Sequence, residues 1–313
     1  MATEWLGDLP GPGWDERLFA RGGHFLQSTH WGAFQQALER PVYFGSGPGW
    51  QCLAIVERLG PAARLYCPYG PVADDRDAYA VAIDQVEALA REQDARFVRV
   101  EPWAPVRSAD LVALRHTPAP RPVQPALTWV QDLTRPREVL FAEFSANNRN
   151  RYRNAHKKDL RIEQSTDPAD VAILLRMIHD VAANTGITPH ADHYYQQQVA
   201  VLLRRRAGAL YLARHHGEPV AAAIVFDSPT TRYYAHSGSL LSARSLHPGG
   251  PLLATMILDA QERGLQFFDF MGAAPADQPD HPWAGFTRFK QSFGGRYREY
   301  LGTWERGCHP LHR

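Results

Sequence analysis

The chain has 313 residues, too many for one ordinary core and suited to two domains of roughly 150 residues each. Its hydrophobic share of 44% and charged share of 21% exclude a disordered, collagen-like or disulfide-framework protein. A formal net charge of +1 argues against coating nucleic acid by bulk charge, while leaving room for a local basic patch.

The cysteines, Cys52, Cys67 and Cys308, form no CxxC pair, so they read as reduced thiols: two small buried hydrophobes and one on the tail. The N-terminal residues show no basic stretch followed by an apolar run. No apolar stretch approaches the ~20 residues of a membrane span. The expectation is a cytoplasmic protein, one that would have to visit the membrane face if its substrate were lipid-linked.

In chain order, 27–38 reads as a helix capped by Ser28 or Thr29, with Trp31, Phe34 and Leu38 at helical spacing. Segments 52–59 and 63–72 read as a strand pair around a turn at Gly60-Pro61. Residues 78–93 follow as a helix with Val81, Val86, Leu89 and Ala90 as its stripe, then a strand over 95–103. The prolines of 117–127 predict an extended crossing segment, and the domain boundary is placed there.

The second half opens with a strand at 127–133, then a helix near Arg135-Pro136 that runs into a basic segment at 147–163, its basic run at 149–161. Helices are expected over 171–185 and 194–206, and a hairpin over 209–228. A strand at 231–239, a helix within 248–264, a strand at 264–272, a helix at 283–293 and one closing strand at 297–305 complete the pattern. The fold class is α/β with mixed sheets.

Several segments could carry chemistry. Lys290 sits in FTRFKQSFGG, beside a stripe of Phe286, Phe289 and Phe293, where an apolar cleft would hold it near a developing negative charge. Asp269 ends a buried strand and could orient Lys290 or a tyrosine. Arg149, Arg153, His156 and Lys157 share one helical face, which would suit phosphates. Tyr234 and His236 share a strand face by period-two counting. Glu101 closes the strand RVE before Pro102 and could act as a base or an amine anchor.

The P-loop, GxGxxG and GxSxG signatures do not occur, and Cys and His spacing gives no zinc site. In RSLHPGGPLLA, Pro248 and Pro251 remove N–H donors where the pyrophosphate of coenzyme A would need them.

Taken together, QSTHWGAF, YCPYGPV, RVEPW, NRYRNAHKKDLRIE, TGIT, YYAHSGS, HPGGPLLATMILDAQERG, FFDFMGAAP and FTRFKQSFGG resemble the Fem family of tRNA-dependent peptidoglycan aminoacyltransferases, most closely its short FemX-type members. The resemblance implies two N-acetyltransferase (GNAT)-like domains in tandem, 1–126 with 296–313 returning to it, and 127–295, without the coiled-coil arm of longer relatives. It implies aminoacyl-tRNA as donor and, as acceptor, the side-chain amine of the third residue of a peptidoglycan stem peptide, with no metal and no organic cofactor.

Residue by residue, the resemblance makes Lys290, after Phe289, the group that stabilises the oxyanion. It makes Glu101 the cleft carboxylate. The cleft tyrosines of the family fall on Tyr194 and Tyr234, with His236 at a third such position; Phe289, Trp31, His190 and Asp269 are further candidate substrate contacts, and Arg149, Arg153 and Lys157 candidate contacts to RNA phosphates. FemX-type enzymes that take a nucleotide-linked precursor carry a lysine after the Trp motif and an arginine after the Gly-Ile-Thr motif. This chain has Gly32-Ala33-Phe34-Gln35 and Pro189-His190-Ala191 there, which favours a lipid-linked precursor or another amine acceptor. The rival activities are a ligase for a different amine and an acyl-CoA N-acyltransferase.

Overall fold

The computed structural model describes residues 4–60 and 62–308. In chain order the elements are α1 (Gly13–Ala20), α2 (Thr29–Ala37), β1 (Val42–Gly47), β2 (Trp50–Leu59), β3 (Ala62–Cys67), β4 (Val72–Ala73), α3 (Arg76–Glu92), β5 (Ala95–Val100), α4 (Ser108–Ala113) and β6 (Thr117–Pro118). They continue with β7 (Leu127–Asp132), α5 (Arg137–Glu143), α6 (Ala146–Arg153), β8 (Leu160–Ser165), α7 (Val171–Thr185), α8 (Asp192–Arg204), β9 (Gly208–His215), β10 (Glu218–Asp227) and β11 (Thr231–Ser239). The last are α9 (Gly249–Glu262), β12 (Phe267–Gly272), α10 (Ala284–Gln291), β13 (Arg296–Glu299) and β14 (Trp304–Gly307). Two compact units result, Met1–Ala126 with Glu299–Arg313, and Leu127–Arg298.

Unit 1 is built on a mixed sheet in the order β1-β2-β3-β5-β14-β6. Helix α3 starts where the Asp75 carboxylate accepts the Ala78 N–H at 2.8 Å, as an N-cap should. It packs Tyr79, Ala82, Ile83, Val86 and Ala90 into the unit's core. Val86, Leu89 and Ala90 of the expected stripe are buried in that core, and Val81 alone is not. Val81 lies two residues, about 200° of helix, from Tyr79 and is left 52% exposed. Ser28 is the cap of α2, its hydroxyl accepting the Trp31 N–H. Pro61, half of the expected turn between β2 and β3, lies outside the described residues. All three cysteines are buried and free, including Cys308 on the tail.

The parallel pair β3 and β5 stays joined to its end, with Cys67 opposite Val100 and the Glu101 N–H reaching the Cys67 carbonyl. β14 then pairs antiparallel with β5. The single closing strand expected over 297–305 is two strands. β13 joins the other unit's sheet and β14 this one, with Gly302 at φ +75° between them. Only a left-handed residue turns the chain that sharply, and glycine adopts that conformation without steric cost.

Unit 2 has a mixed sheet in the order β13-β7-β12-β11-β10-β9-β8. Its core fills the space between the sheet and α9, with Leu253, Met256, Ile257, Phe268, Phe270 and Phe293 fully buried. Arg232 is fully buried as well. It donates to both Asp227 oxygens at 2.8 and 2.7 Å, to Asp259 at 2.6 Å and to the Met256 carbonyl at 3.0 Å, so its charge is paired rather than stranded. The longest helix of the unit, α7, has 15 residues, and no helical arm is present among the described residues.

Two irregularities of this sheet prepare the site. The parallel pairing of β11 with β12 ends at Tyr233–Asp269, although β11 runs on to Ser239 and β12 to Gly272. Each strand keeps its other neighbour, so the sheet opens a gap between them. Second, β11 carries a bulge. His236 pairs with Ile224 while Tyr234 pairs with Val225, consecutive residues of β10. A bulge inserts one residue and inverts the alternation beyond it.

Candidate active site

The bulge overturns the expectation that Tyr234 and His236 share a face. Paired residues point to the same side of a sheet, and Ile224 and Val225 point to opposite sides. Tyr234 faces the α9 side, packs against the core there and donates to Ser237 at 2.5 Å. His236 faces α7 and α8, edge-on to Tyr195 at 5.0 Å. His190 and Tyr194 complete that cluster, stacked at 4.0 Å. The surrounding protein and then His190 push the His236 imidazole down to about 3, so it is uncharged near neutral pH.

Lys290 reaches the end of the strand gap from α10. Its Nζ donates to the carbonyl of Gly272, the last residue of β12, at 2.5 Å. Burial pushes the ammonium down to about 8, and the Asp269 carboxylate partly opposes that shift. Asp269 does not bind the lysine directly. Its oxygens accept the Met271 N–H at 2.7 Å and the Thr128 hydroxyl at 3.3 Å, and burial raises its pKa to about 6. The carboxylate thus acts on Lys290 through space and holds Met271 in a left-handed conformation, φ +61°.

The turn beyond Gly272 is clamped from two sides. The Thr287 hydroxyl accepts the Ala274 N–H at 2.8 Å, and the Tyr297 hydroxyl donates to the Ala274 carbonyl at 3.0 Å. After α10, Gly294 and Gly295 take φ of +86° and +99°. A β-carbon on Gly295 would lie 2.7 Å from the Val130 carbonyl oxygen. The backbone so placed lets Gln131 and Trp129 donate to the Phe293 and Gly294 carbonyls, each at 2.6 Å. The Gly-Gly pair was the visible signal for this fixture; Thr287 and Tyr297 gave none. Of the expected phenylalanine stripe, Phe293 is buried and Phe289 partly so, but Phe286 is 42% exposed because α10 presents that turn outward.

The basic segment is not one continuous helix. α6 ends at Arg153, a 3-10 turn spans Ala155–Lys158, and Asp159 is left-handed. Arg149 is spent on the Ala142 and Phe144 carbonyls at the end of α5, and Arg153 lies over the Phe141 ring at 5.0 Å. Lys157 is exposed. A different set converges on the start of α9. His247 is held below its usual range by burial, then by Arg151, Lys158 and Arg244. A β-carbon on Gly250 would lie 3.6 Å from Arg151 Cδ. At that helix start Pro251 supplies no N–H and the Gly250 N–H is taken by His247.

In unit 1, Glu101 is buried and its carboxylate is already served. It accepts from Thr303 at 2.8 Å and from the Tyr69 and Gln124 amides at 3.4 Å each, and the Tyr66 phenol lies beside it. Burial raises it to about 7 in spite of these donors. Trp31 is also buried, edge-on to Phe34 at 5.0 Å. Neither stands beside Lys290 within a unit: Glu101 and Trp31 belong to unit 1, Lys290 to unit 2.

Residues 143–290 match a family model described as an acetyltransferase (GNAT) domain. No curated protein matches the chain in sequence. Among solved structures, FemX matches with a TM-score of 0.83 at 16% identity, covering 97% of each chain. L-PGS from Bacillus licheniformis matches at 0.60 and 14% identity, over 98% of this chain and 95% of that one. A tandem GNAT protein from the clavulanic acid biosynthesis pathway matches at 0.53 and 14% identity, over 87% and 83%. The fold is that of two GNAT-like domains in tandem, arranged along the chain as in FemX.

Proposed function

We propose that this protein is an aminoacyltransferase that moves an amino acid from aminoacyl-tRNA to the side-chain amine of a peptidoglycan stem peptide, with Lys290 as its main catalytic group. The observation that carries the reading is the Lys290 ammonium, tethered to Gly272 where β11 and β12 part. The acyl donor is assigned to that gap, where its carbonyl would come within reach of Lys290. The donor ester is already activated. The neutral amine attacks its carbonyl carbon, a C–N bond forms and the carbonyl oxygen takes the negative charge. The ammonium of Lys290 meets that charge. Collapse expels the ribose oxygen, and the proton lost by the amine ends on it.

The RNA end is assigned to Arg151, Lys158, Arg244 and Lys157 rather than to Arg149 and Arg153, whose guanidinium groups are engaged within the unit. The missing N–H at Pro251 speaks against a coenzyme A pyrophosphate at the start of α9. The face formed by His190, Tyr194, Tyr195 and His236 has no arginine or lysine and suits a neutral part of the acceptor, which favours a lipid-linked over a nucleotide-linked precursor.

The test is a transfer assay with labelled aminoacyl-tRNAs, offering lipid-linked and nucleotide-linked precursors in parallel. Transfer to the lipid form, lost in Lys290→Met, is the expected result. No transfer from any aminoacyl-tRNA, with transfer from an acyl-CoA instead, would overturn the reading.

A further inference from the structure

β12 also carries a bulge, at the point where it leaves β11. Asp269 pairs with Val130 and Gly272 with Thr128, so Phe270 and Met271 oppose the single residue Trp129. The bulge begins directly after the last pair that β12 makes with β11, Tyr233–Asp269. Met271 takes φ +61° within it. A left-handed bulge position is one that glycine fills, because a β-carbon there crowds the following carbonyl oxygen. A methionine stays in that conformation only where its surroundings hold it.

Asp269 does the holding. Its Oδ1 accepts the Met271 N–H at 2.7 Å, closing a turn two residues along, and Thr128 on the opposing strand donates to Oδ2 at 3.3 Å. The carboxylate is buried, and the cations that act on it are Arg298 and Lys290. Phe270, between the two ends of that turn, is fully buried in the core and anchors the bulge. The next carbonyl along, that of Gly272, accepts the Lys290 ammonium at 2.5 Å. A bulge re-aims the strand end beyond it, and this one re-aims the end that carries the lysine's acceptor.

We infer that Asp269 is a positioning residue for Lys290: by holding Met271 left-handed, it turns the Gly272 carbonyl to the ammonium. The inference rests on the proposed role of Lys290 only for its effect on transfer. Substitutions separate the Asp269–Met271 bond from the carboxylate's charge. Asp269→Asn keeps an oxygen for the Met271 N–H and removes the charge. Asp269→Ala removes both. Met271→Gly, added to Asp269→Ala, lets the left-handed conformation form without the bond, since glycine adopts it freely. Met271→Val leaves the carboxylate in place and resists a left-handed backbone, so it makes the same test without touching Asp269.

The experiment follows the Lys290 Cε resonance of the full chain through a pH titration, with isotope-labelled lysine and Lys290→Met for assignment. Asp269→Asn should titrate below the wild type, having lost the charge that supports the ammonium. Asp269→Ala should titrate lower still, because the ammonium also loses its acceptor, and adding Met271→Gly should return it toward the asparagine value. Met271→Val should titrate below the wild type. In the transfer assay, Asp269→Ala should lose about 10²-fold in kcat with KM within about twofold, and Met271→Gly should recover about tenfold of that loss. Equal titration of the alanine and asparagine variants, or an unchanged titration in Met271→Val, would overturn the inference. So would a loss in kcat that Met271→Gly does not relieve. An active, folded Lys290→Met would defeat the transfer reading alone, and the titrations would still decide the positioning role.

Discussion

The two units repeat one motif, a pair of parallel strands at the centre of a mixed sheet, and finish it differently. In unit 1, β3 and β5 stay paired to Cys67–Val100, and Glu101 just beyond is enclosed by Thr303, Gln124, Tyr69 and Tyr66. In unit 2, β11 and β12 separate after Tyr233–Asp269, and Lys290 stands at the end of the opening with its ammonium on the Gly272 carbonyl. Both groups are driven by burial toward their neutral forms. The carboxylate is satisfied by protein donors and reads as a structural staple. The lysine lies where a substrate charge could complete its surroundings. The same strand arrangement becomes an open gap only where the two parallel strands part before their ends.

The sharpest test of this contrast is Lys290→Met. Transfer should fall by about 10²- to 10³-fold in kcat/KM, while the melting temperature stays the same or rises because a burial-strained charge has been removed. The sign of the pH dependence follows: Lys290 is charged below its value of about 8, so the wild-type rate should bend downward above pH 8. Lys290→Arg should lack that bend. An active, folded Lys290→Met would end the assignment.

Glu101→Gln probes the other unit. The folded carboxyl sits at about 7 against an ordinary 4.5, so the folded state keeps a proton that the unfolded chain releases. This stability is fully present below about pH 4.5 and is lost as pH rises through 7, by an amount on the order of 3 kcal/mol. The difference between wild-type and variant stability curves should show that slope, with activity changed little. A loss of activity beyond about a hundredfold in a folded variant would instead make Glu101 catalytic.

Gly295→Ala should cost about 1–3 kcal/mol in chemical denaturation, since φ +99° and the 2.7 Å approach to Val130 both oppose a β-carbon. The smallest effect is expected for Arg151→Ala with Arg244→Ala. Binding to aminoacyl-tRNA should weaken about tenfold, and the slope of log K against log salt should flatten by about 1 to 2. The same pair of changes at Arg149 and Arg153 should leave that slope unaltered and lower stability.

Much of the molecule was legible in its pattern. Alternating segments gave the main strands, periodic ones gave α2, α3, α7 and α9, and the proline-rich stretch marked the crossing between units. The parts that were missed share a cause. β1, β8 and α4 are short and take their stability from neighbours, so their local pattern is faint. Val81 and Phe286 are apolar yet exposed, because an apolar residue need not be inside.

The site divides along the same line. Lys290, Phe289 and the Gly-Gly pair announced themselves because a lysine among aromatics and two successive glycines are locally unusual. Composition, period and turn chemistry, which act over a few residues, therefore determined the elements, their order and the candidate lysine. Only the tertiary structure decided that the sheet parts at Tyr233–Asp269, that a bulge sends Tyr234 and His236 to opposite faces, and that Arg149 is consumed as a helix cap while Arg151 is turned toward α9. Each of those facts is a pairing between residues distant in the chain, and no local pattern encodes which distant partner a strand or a guanidinium will meet.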